Sequence, residues 1–237
     1  MNPAELYDDI RNYCRENADE RIVKKYSRYF KEGYDAYGLS NNLLNNKVKS
    51  ILNNSDINIE FISKTCRLLV KSGKYEETSF AILLLKQFSK EFNSKTLEEI
   101  NYWFETGINN WAHTDAICRE FTSFLLKNRI VNLQSFDKWR NAKNKFQRRA
   151  VPVTLIHILK ITQEYEAFFE FIEPLMEDNE RVVWQGLGWF LREAWKIKKE
   201  ETESFLLKWK DKAPRLIYQY ATEKMSAEEK KRFKKKK

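Results

Sequence analysis

The chain is poor in the residues that make turns. It holds six glycines and four prolines in 237 residues, roughly a third of average usage. Sandwiches, barrels and Rossmann-type sheets need turn residues at short intervals, so this scarcity argues against all three. Cysteine is sparse as well. Cys14, Cys66 and Cys118 lie far apart, an odd set that makes no disulfide framework. The two histidines, His113 and His157, have no clustered partners, and there is no Cys-x-x-Cys spacing. A zinc site therefore lacks its ligand pattern, and neither metal nor cofactor is expected. No apolar run approaches the ~18 residues that span a bilayer. The start, MNPAELYDDIRNYCREN, lacks the apolar core and small-residue cleavage site of a signal peptide. A cytoplasmic protein of bacterial type, without membrane association, is the expectation.

Hydrophobic residues (42%) and aromatics (14%) are plentiful, enough to build a core and too many for long disorder. Their spacing is helical almost throughout. In TSFAILLLKQFSKEF (78–92), Phe80, Leu83, Leu84, Gln87 and Phe88 recur at three- and four-residue steps. Short polar breaks, such as Gly38-Leu-Ser-Asn-Asn, Asn53-Asn-Ser-Asp and Glu177-Asp-Asn-Glu, suit helix caps and tight interhelical turns. The pattern predicts ten to twelve helices and no strand. QRRAVPVTLIHILK (147–160) can be laid over VWQGLGWFLREAWK (183–196), with Ala150 on Gly186 and Leu155 on Leu191. An offset of about 36 residues is that of helical-repeat units, which stack into a curved superhelix with a concave face. The expectation is an all-α solenoid of helical repeats over 1–228, with a basic tail at 229–237. Pro152 is expected to begin or kink a helix.

Positive charge is unevenly spread. Residues 127–149 carry eight cations, Lys143, Lys145, Arg148 and Arg149 among them, against Asp137 alone. That is +7. Residues 215–237 carry +6, so the rest of the chain carries −4 within a total of +9. Concentrated Lys and Arg are the footprint of a nucleic-acid binder, where they replace condensed counterions.

The stretch NNWAHTDAICRE (109–120) places Trp111 and Asp115 four residues apart, on one face of a helix. His113 points elsewhere. Spacing alone fits two readings: a structural pair, with the acid accepting a hydrogen bond while the ring packs, or a functional carboxylate beside an indole. Arg149 and Trp189 follow at roughly one-repeat intervals. Trp103, Trp139, Trp184, Trp195 and Trp209 lie on apolar helical patterns and are expected in the core. Cys118 reads as a small buried side chain.

Several segments, taken together and in order, resemble the AlkD-like DNA alkylation repair family of HEAT-like-repeat DNA glycosylases. SRYFKEGYDAYGLSNN (27–42) is similar to its Tyr-Phe-Lys…Tyr-Gly segment, NNWAHTDAIC to its Trp-x-x-x-Asp motif, and KFQRRAVPV (145–153) to its basic helix. VVWQGLGWFLREAWK (182–196) and APRLIYQYATEKM (213–225) are similar to its later helices. The resemblance implies a catalytic Asp115, tryptophans Trp111 and Trp189 facing the lesion, and an active-site Arg149 with Arg148 as neighbour. It also implies Tyr29 near the DNA. Lys143 and Lys145 on the basic stretch, and Gly186 and Gly188, which mark a close approach by a helix or the DNA backbone, complete the expected DNA-contacting set. Two positions depart from the family pattern: Asn110, where an aromatic often stands, and His113.

The implied activity is monofunctional hydrolysis of the N-glycosidic bond of purines alkylated at N3 or N7, in double-stranded DNA, by a monomer. A non-catalytic solenoid that binds damaged or branched DNA is the alternative. Glycosidases ordinarily need two carboxyl groups. A purine that already carries positive charge leaves without a general acid, so a single carboxylate is enough to stabilise the sugar cation and hold a water.

Overall fold

Helix starts are written into the sequence as short polar side chains. Asn2, Asp19, Ser40, Asn58, Asn93, Asn110, Asn144 and Ser226 each accept a backbone N–H of the helix they open, satisfying donors that otherwise lack partners. The computed structural model describes residues 1–53, 57–161 and 164–235. The predicted turn at 54–56 and the last two lysines lie outside the described residues. Among the described residues there are helices and no strand, and no helix is long and apolar enough to cross a membrane.

The chain divides into two compact units, Met1–Phe121 and Thr122–Lys237. The first holds α1 (Pro3–Glu16), α2 (Glu20–Ser27), α3 (Asn41–Leu52), α4 (Ile59–Lys71), α5 (Tyr75–Leu85), α6 (Ser94–Thr106) and α7 (Trp111–Ile117). A π turn over Cys118–Thr122 follows α7. The second holds α8 (Ser123–Lys127), α9 (Lys145–Ile156), α10 (Tyr165–Ile172), α11 (Arg181–Trp195), α12 (Lys199–Trp209), α13 (Arg215–Ala221) and α14 (Ala227–Lys231).

In the first unit, α5 packs against α1, α3, α4 and α7. It ends at Leu85 and passes into a 3₁₀ turn, short of the helix predicted through 92. It is buried on nearly every side, by Phe80, Ala81, Ile82, Leu84 and Leu85 but also by Glu76 and Glu77. A buried carboxylate must be fully hydrogen-bonded or it opposes folding. Glu76 accepts three backbone N–H groups from one loop: Tyr37 at 2.8 Å, Gly38 at 2.8 Å and Leu39 at 3.1 Å. One oxygen of Glu77 accepts the Tyr37 hydroxyl at 2.7 Å. The loop is tied twice more, by Asp19 N–H to the Tyr37 carbonyl and by Tyr75 N–H to the Asp35 carbonyl. Gly38 allows this path: its φ is +88°, and a Cβ there would stand 2.2 Å from the Asp19 carbonyl oxygen.

In the second unit, α11 lies between α9 and α13. The ties between successive elements step by nearly one repeat: Thr122 to Thr154, Arg149 to the Val182 carbonyl, Gln185 to the Tyr220 hydroxyl. Pro152 stands inside α9 rather than at its start. The segment read as a tail is folded as far as it is described. α14 spans Ala227–Lys231, Phe233 is fully buried, Arg215 donates to the Phe233 carbonyl and Arg232 to Glu203. All three cysteines are buried and none is bridged to another, and burial pushes the Cys14 thiol up to about 12. No cluster of metal-ligating side chains occurs among the described residues.

Gly38→Ala is expected to destabilise the protein by about 2 kcal/mol or more, through both the disallowed φ and the clash. Glu76→Gln, which sets an amide N–H₂ against backbone N–H groups, should cost a similar amount. Thermal or urea unfolding of the two variants checks both.

Candidate active site

The site is built from the start of α7. Asn110 caps it, its Oδ1 accepting the His113 backbone N–H at 2.9 Å while its Nδ2 donates to His113 Nδ1 at 2.8 Å. That bond leaves the ring proton on Nε2, which faces Ser79 Oγ at 3.0 Å; Ser79 in turn donates to the Tyr75 carbonyl at 2.9 Å. The Tyr75 ring stacks on the imidazole at 4.4 Å. Burial holds the His113 pKa down to about 3, so the ring is neutral near pH 7. The two residues that depart from the family pattern are thus partners of each other, and together they fix α7 on α5.

One residue past the cap, Trp111 is 37% exposed. Its indole N–H donates to the Tyr29 carbonyl at 3.2 Å and its ring stacks on Phe30 at 5.7 Å. Phe30 stacks in turn on Tyr34 at 4.6 Å and meets Tyr75 edge-on. These rings line an open groove of about 740 Å³ that also takes in Tyr26, Tyr29, Lys86 and Arg119. Asp115 is half-buried, one turn beyond Trp111. From the rest of α7 the groove takes Ala112, His113 and Ala116; Asp115 is not on its wall.

In the second unit the expected cations are largely engaged. Arg149 is 6% exposed and donates to the Val182 carbonyl at 2.8 Å, so the arginine expected at the active site is mostly covered. Arg148 grips Asp178 at 2.6 Å and the Ala142 carbonyl at 2.7 Å. Lys145 lies 3.5 Å from Glu180, and Arg140 bonds Asp137 at 2.7 Å. Lys127, Arg129, Lys138 and Lys143 are the exposed cations of the stretch. Counting charge within 127–149 overstated the free charge, because Asp178 and Glu180 reach in from the next repeat. Gly186 and Gly188, expected at a close approach by a helix or the DNA backbone, are buried. A Cβ on Gly186 would lie 3.2 Å from Arg149 Cγ, and one on Gly188 would lie 2.5 Å from Tyr220 Cβ. The close approach they permit is that of α9 and α13. Trp189 is half-buried on α11.

Trp103 and Trp139 are in the core as expected. Trp184, Trp195 and Trp209 are only partly covered, each donating its indole N–H to an acceptor: the Asp178 carbonyl, Glu203 and Glu173. Phe30, Tyr34 and Tyr75 were not singled out from the sequence. The signal was there in the density of rings between Tyr26 and Tyr37.

An all-helical chain with repeat-spaced ties defines a helical-repeat protein. Residues 10–225 match the family model described as DNA alkylation repair enzyme, and the chain belongs to that family. No curated protein matches it. Among solved structures it is similar to a predicted DNA alkylation repair enzyme from Enterococcus faecalis, at 17% identity and a TM-score of 0.75, covering 89% of this chain and 98% of that one. It is also similar to AlkD2 from Streptococcus mutans, at 20% identity and a TM-score of 0.60, covering 86% and 100% respectively.

The buried histidine gives a pH signature. His113 ordinarily titrates at 6.5 and here only near 3, so between those values the unfolded chain binds a proton that the folded one refuses. Its contribution to stability is complete above about pH 6.5 and is lost as pH falls towards 3. Urea midpoints measured from pH 7 to 5 should fall for the parent protein and fall less for His113→Gln.

Proposed function

We propose that the protein is a monofunctional DNA glycosylase that releases purines made cationic by alkylation at N3 or N7 from double-stranded DNA. The observation that carries this reading is the pairing, on α7 of a chain in the DNA alkylation repair enzyme family, of the partly exposed Trp111 with Asp115 one turn on. The C1′–N bond breaks with its electron pair going to the base, which departs neutral. The sugar is left as an oxocarbenium-like cation. Asp115 stabilises that charge and orients a water, whose oxygen bonds to C1′ and whose proton passes to the carboxylate or to solvent. Trp111 offers ring surface to the cationic sugar, an attraction of about 0.5–2 kcal/mol. Trp189 supplies a second indole by the same resemblance.

Arg149 and Arg148 enter this scheme in a reduced role. Their guanidinium groups hold Val182 and Asp178, so phosphate contact falls to exposed lysines such as Lys143. The alternative is a binder of damaged DNA that does not turn over. No amine nucleophile is assigned, so the product is an abasic site without strand cleavage.

Release of 3-methyladenine and 7-methylguanine from methylated duplex DNA decides between the two readings. Asp115→Asn should lower release at least about hundredfold with unchanged thermal unfolding. Uracil, a neutral leaving group, should stay in place. Full excision by the Asn variant, or release of uracil by the parent, overturns the assignment. Lys143→Ala should reduce the slope of duplex affinity against salt by about one ion.

A further inference from the structure

Seven large apolar or aromatic side chains are exposed among the described residues, and three of them, Tyr26, Tyr29 and Trp111, line one groove of the first unit. Single exposed rings are ordinary; a cluster of them marks a binding surface. Its charge is lopsided. Lys25, Lys86 and Arg119 line the groove against one carboxylate, Glu120. That carboxylate lies 3.7 Å from Lys86 and 2.9 Å from Arg119, which leaves an excess of positive charge. The rings and cations are interleaved. Lys25 stands over the Tyr26 ring at 5.4 Å, and Arg28 over the Tyr29 ring at 4.9 Å with a hydrogen bond to its hydroxyl at 2.9 Å. α2, which carries Lys25 and Tyr26, buries none of its own residues. Lys24, Lys25, Tyr26 and Ser27 at its C-terminal end are exposed.

We propose that this groove holds an unpaired nucleotide of single-stranded DNA, its base stacked on the Tyr26 ring, which is tilted 41° from Tyr29, and its phosphate beside Lys25, Lys86 and Arg119. Bases stack on aromatic side chains whatever their sequence, and flanking cations follow the backbone. An apolar peptide would use the rings and leave the cations idle; a nucleotide uses both. The role extends the proposed activity, since removing a lesion disturbs pairing around it, and it rests on DNA being the substrate. It adds Tyr26, Lys25, Lys86 and Arg119 to the residues acting on DNA.

The test is fluorescence anisotropy of the full chain with a short, unmodified, fluorescein-labelled oligothymidylate. The parent should bind it with salt-dependent affinity. Tyr26→Ala should weaken binding about tenfold, Tyr26→Phe should bind like the parent, and Lys86→Ala should lower the salt slope by about one ion. Melting temperatures equal to the parent's establish that the variants are folded. Equal affinity of Tyr26→Ala and the parent, or no binding of the strand by the parent, overturns the assignment. The probe releases no base. Loss of strand binding with methylpurine release intact therefore defeats the groove alone, and strand binding without release defeats the glycosylase alone.

Discussion

The first unit depends on a carboxylate inside it. Glu76 is 1% exposed, and its oxygens accept the N–H groups of Tyr37, Gly38 and Leu39. Such an acceptor does for a loop what a helix cap does for a helix start: it satisfies several backbone donors at one point and fixes the path of the chain. The loop so fixed is the one that brings Phe30 and Tyr34 against Tyr75 and Trp111. Without the anchor, that aromatic group would have to be ordered by stacking alone, and each stack contributes only about 0.5–1.5 kcal/mol beyond area burial.

The second unit is ordered by a different constraint, the approach of neighbouring helices. α11 meets α9 across Gly186 and α13 across Gly188, and the guanidinium of Arg149 closes the first of these contacts on the Val182 carbonyl. A glycine inside a helix costs about 1 kcal/mol relative to alanine. Two in one helix are sustained only if the packing they permit outweighs that, and here a Cβ at either position would press on a neighbour. The same close packing explains the covered arginines: side chains that bridge adjacent repeats have their polar ends taken by the backbone and acids of the next repeat.

How much of this was legible in the sequence follows from the range of each interaction. Helical periodicity and capping are local, so the all-α class and the start at Ser40, inside the break Gly38-Leu-Ser-Asn-Asn, could be read directly. The repeat offset matched Ala150 to Gly186, and the structure places α9 and α11 side by side. What failed was what depends on distant partners. The stripe at 78–92 read as one amphipathic helix, whereas α5 is surrounded and its polar residues, Glu76 and Glu77, face inward to a loop some forty residues earlier. Charge counted along 127–149 ignored Asp178 and Glu180. The tail ended in a run of lysines, and nothing local showed that Phe233 would be buried. That Trp111 and Asp115 stand one turn apart on α7 was legible because their spacing is helical. The rings between Tyr26 and Tyr37 are dense in the sequence, but that Phe30 and Tyr34 meet Tyr75 and Trp111 was not legible, because they come from a loop and other helices.

A site built around an exposed tryptophan needs rigidity from groups that never meet a ligand. An indole on a helix surface has several rotamers, and ordering it on binding would subtract from affinity. Here the ordering is done beforehand. The Tyr29 carbonyl fixes the edge of Trp111, Phe30 takes one ring face, and the neutral His113, held between Asn110 and Ser79, stops α7 from rotating. A charged imidazole would not serve, since it would carry an uncompensated charge into the interior and lose Nδ1 as an acceptor for Asn110. The neutral ring and the buried carboxylate of Glu76 thus act on the same object from opposite ends, one fixing the helix that bears the tryptophan and the other the loop that supports it.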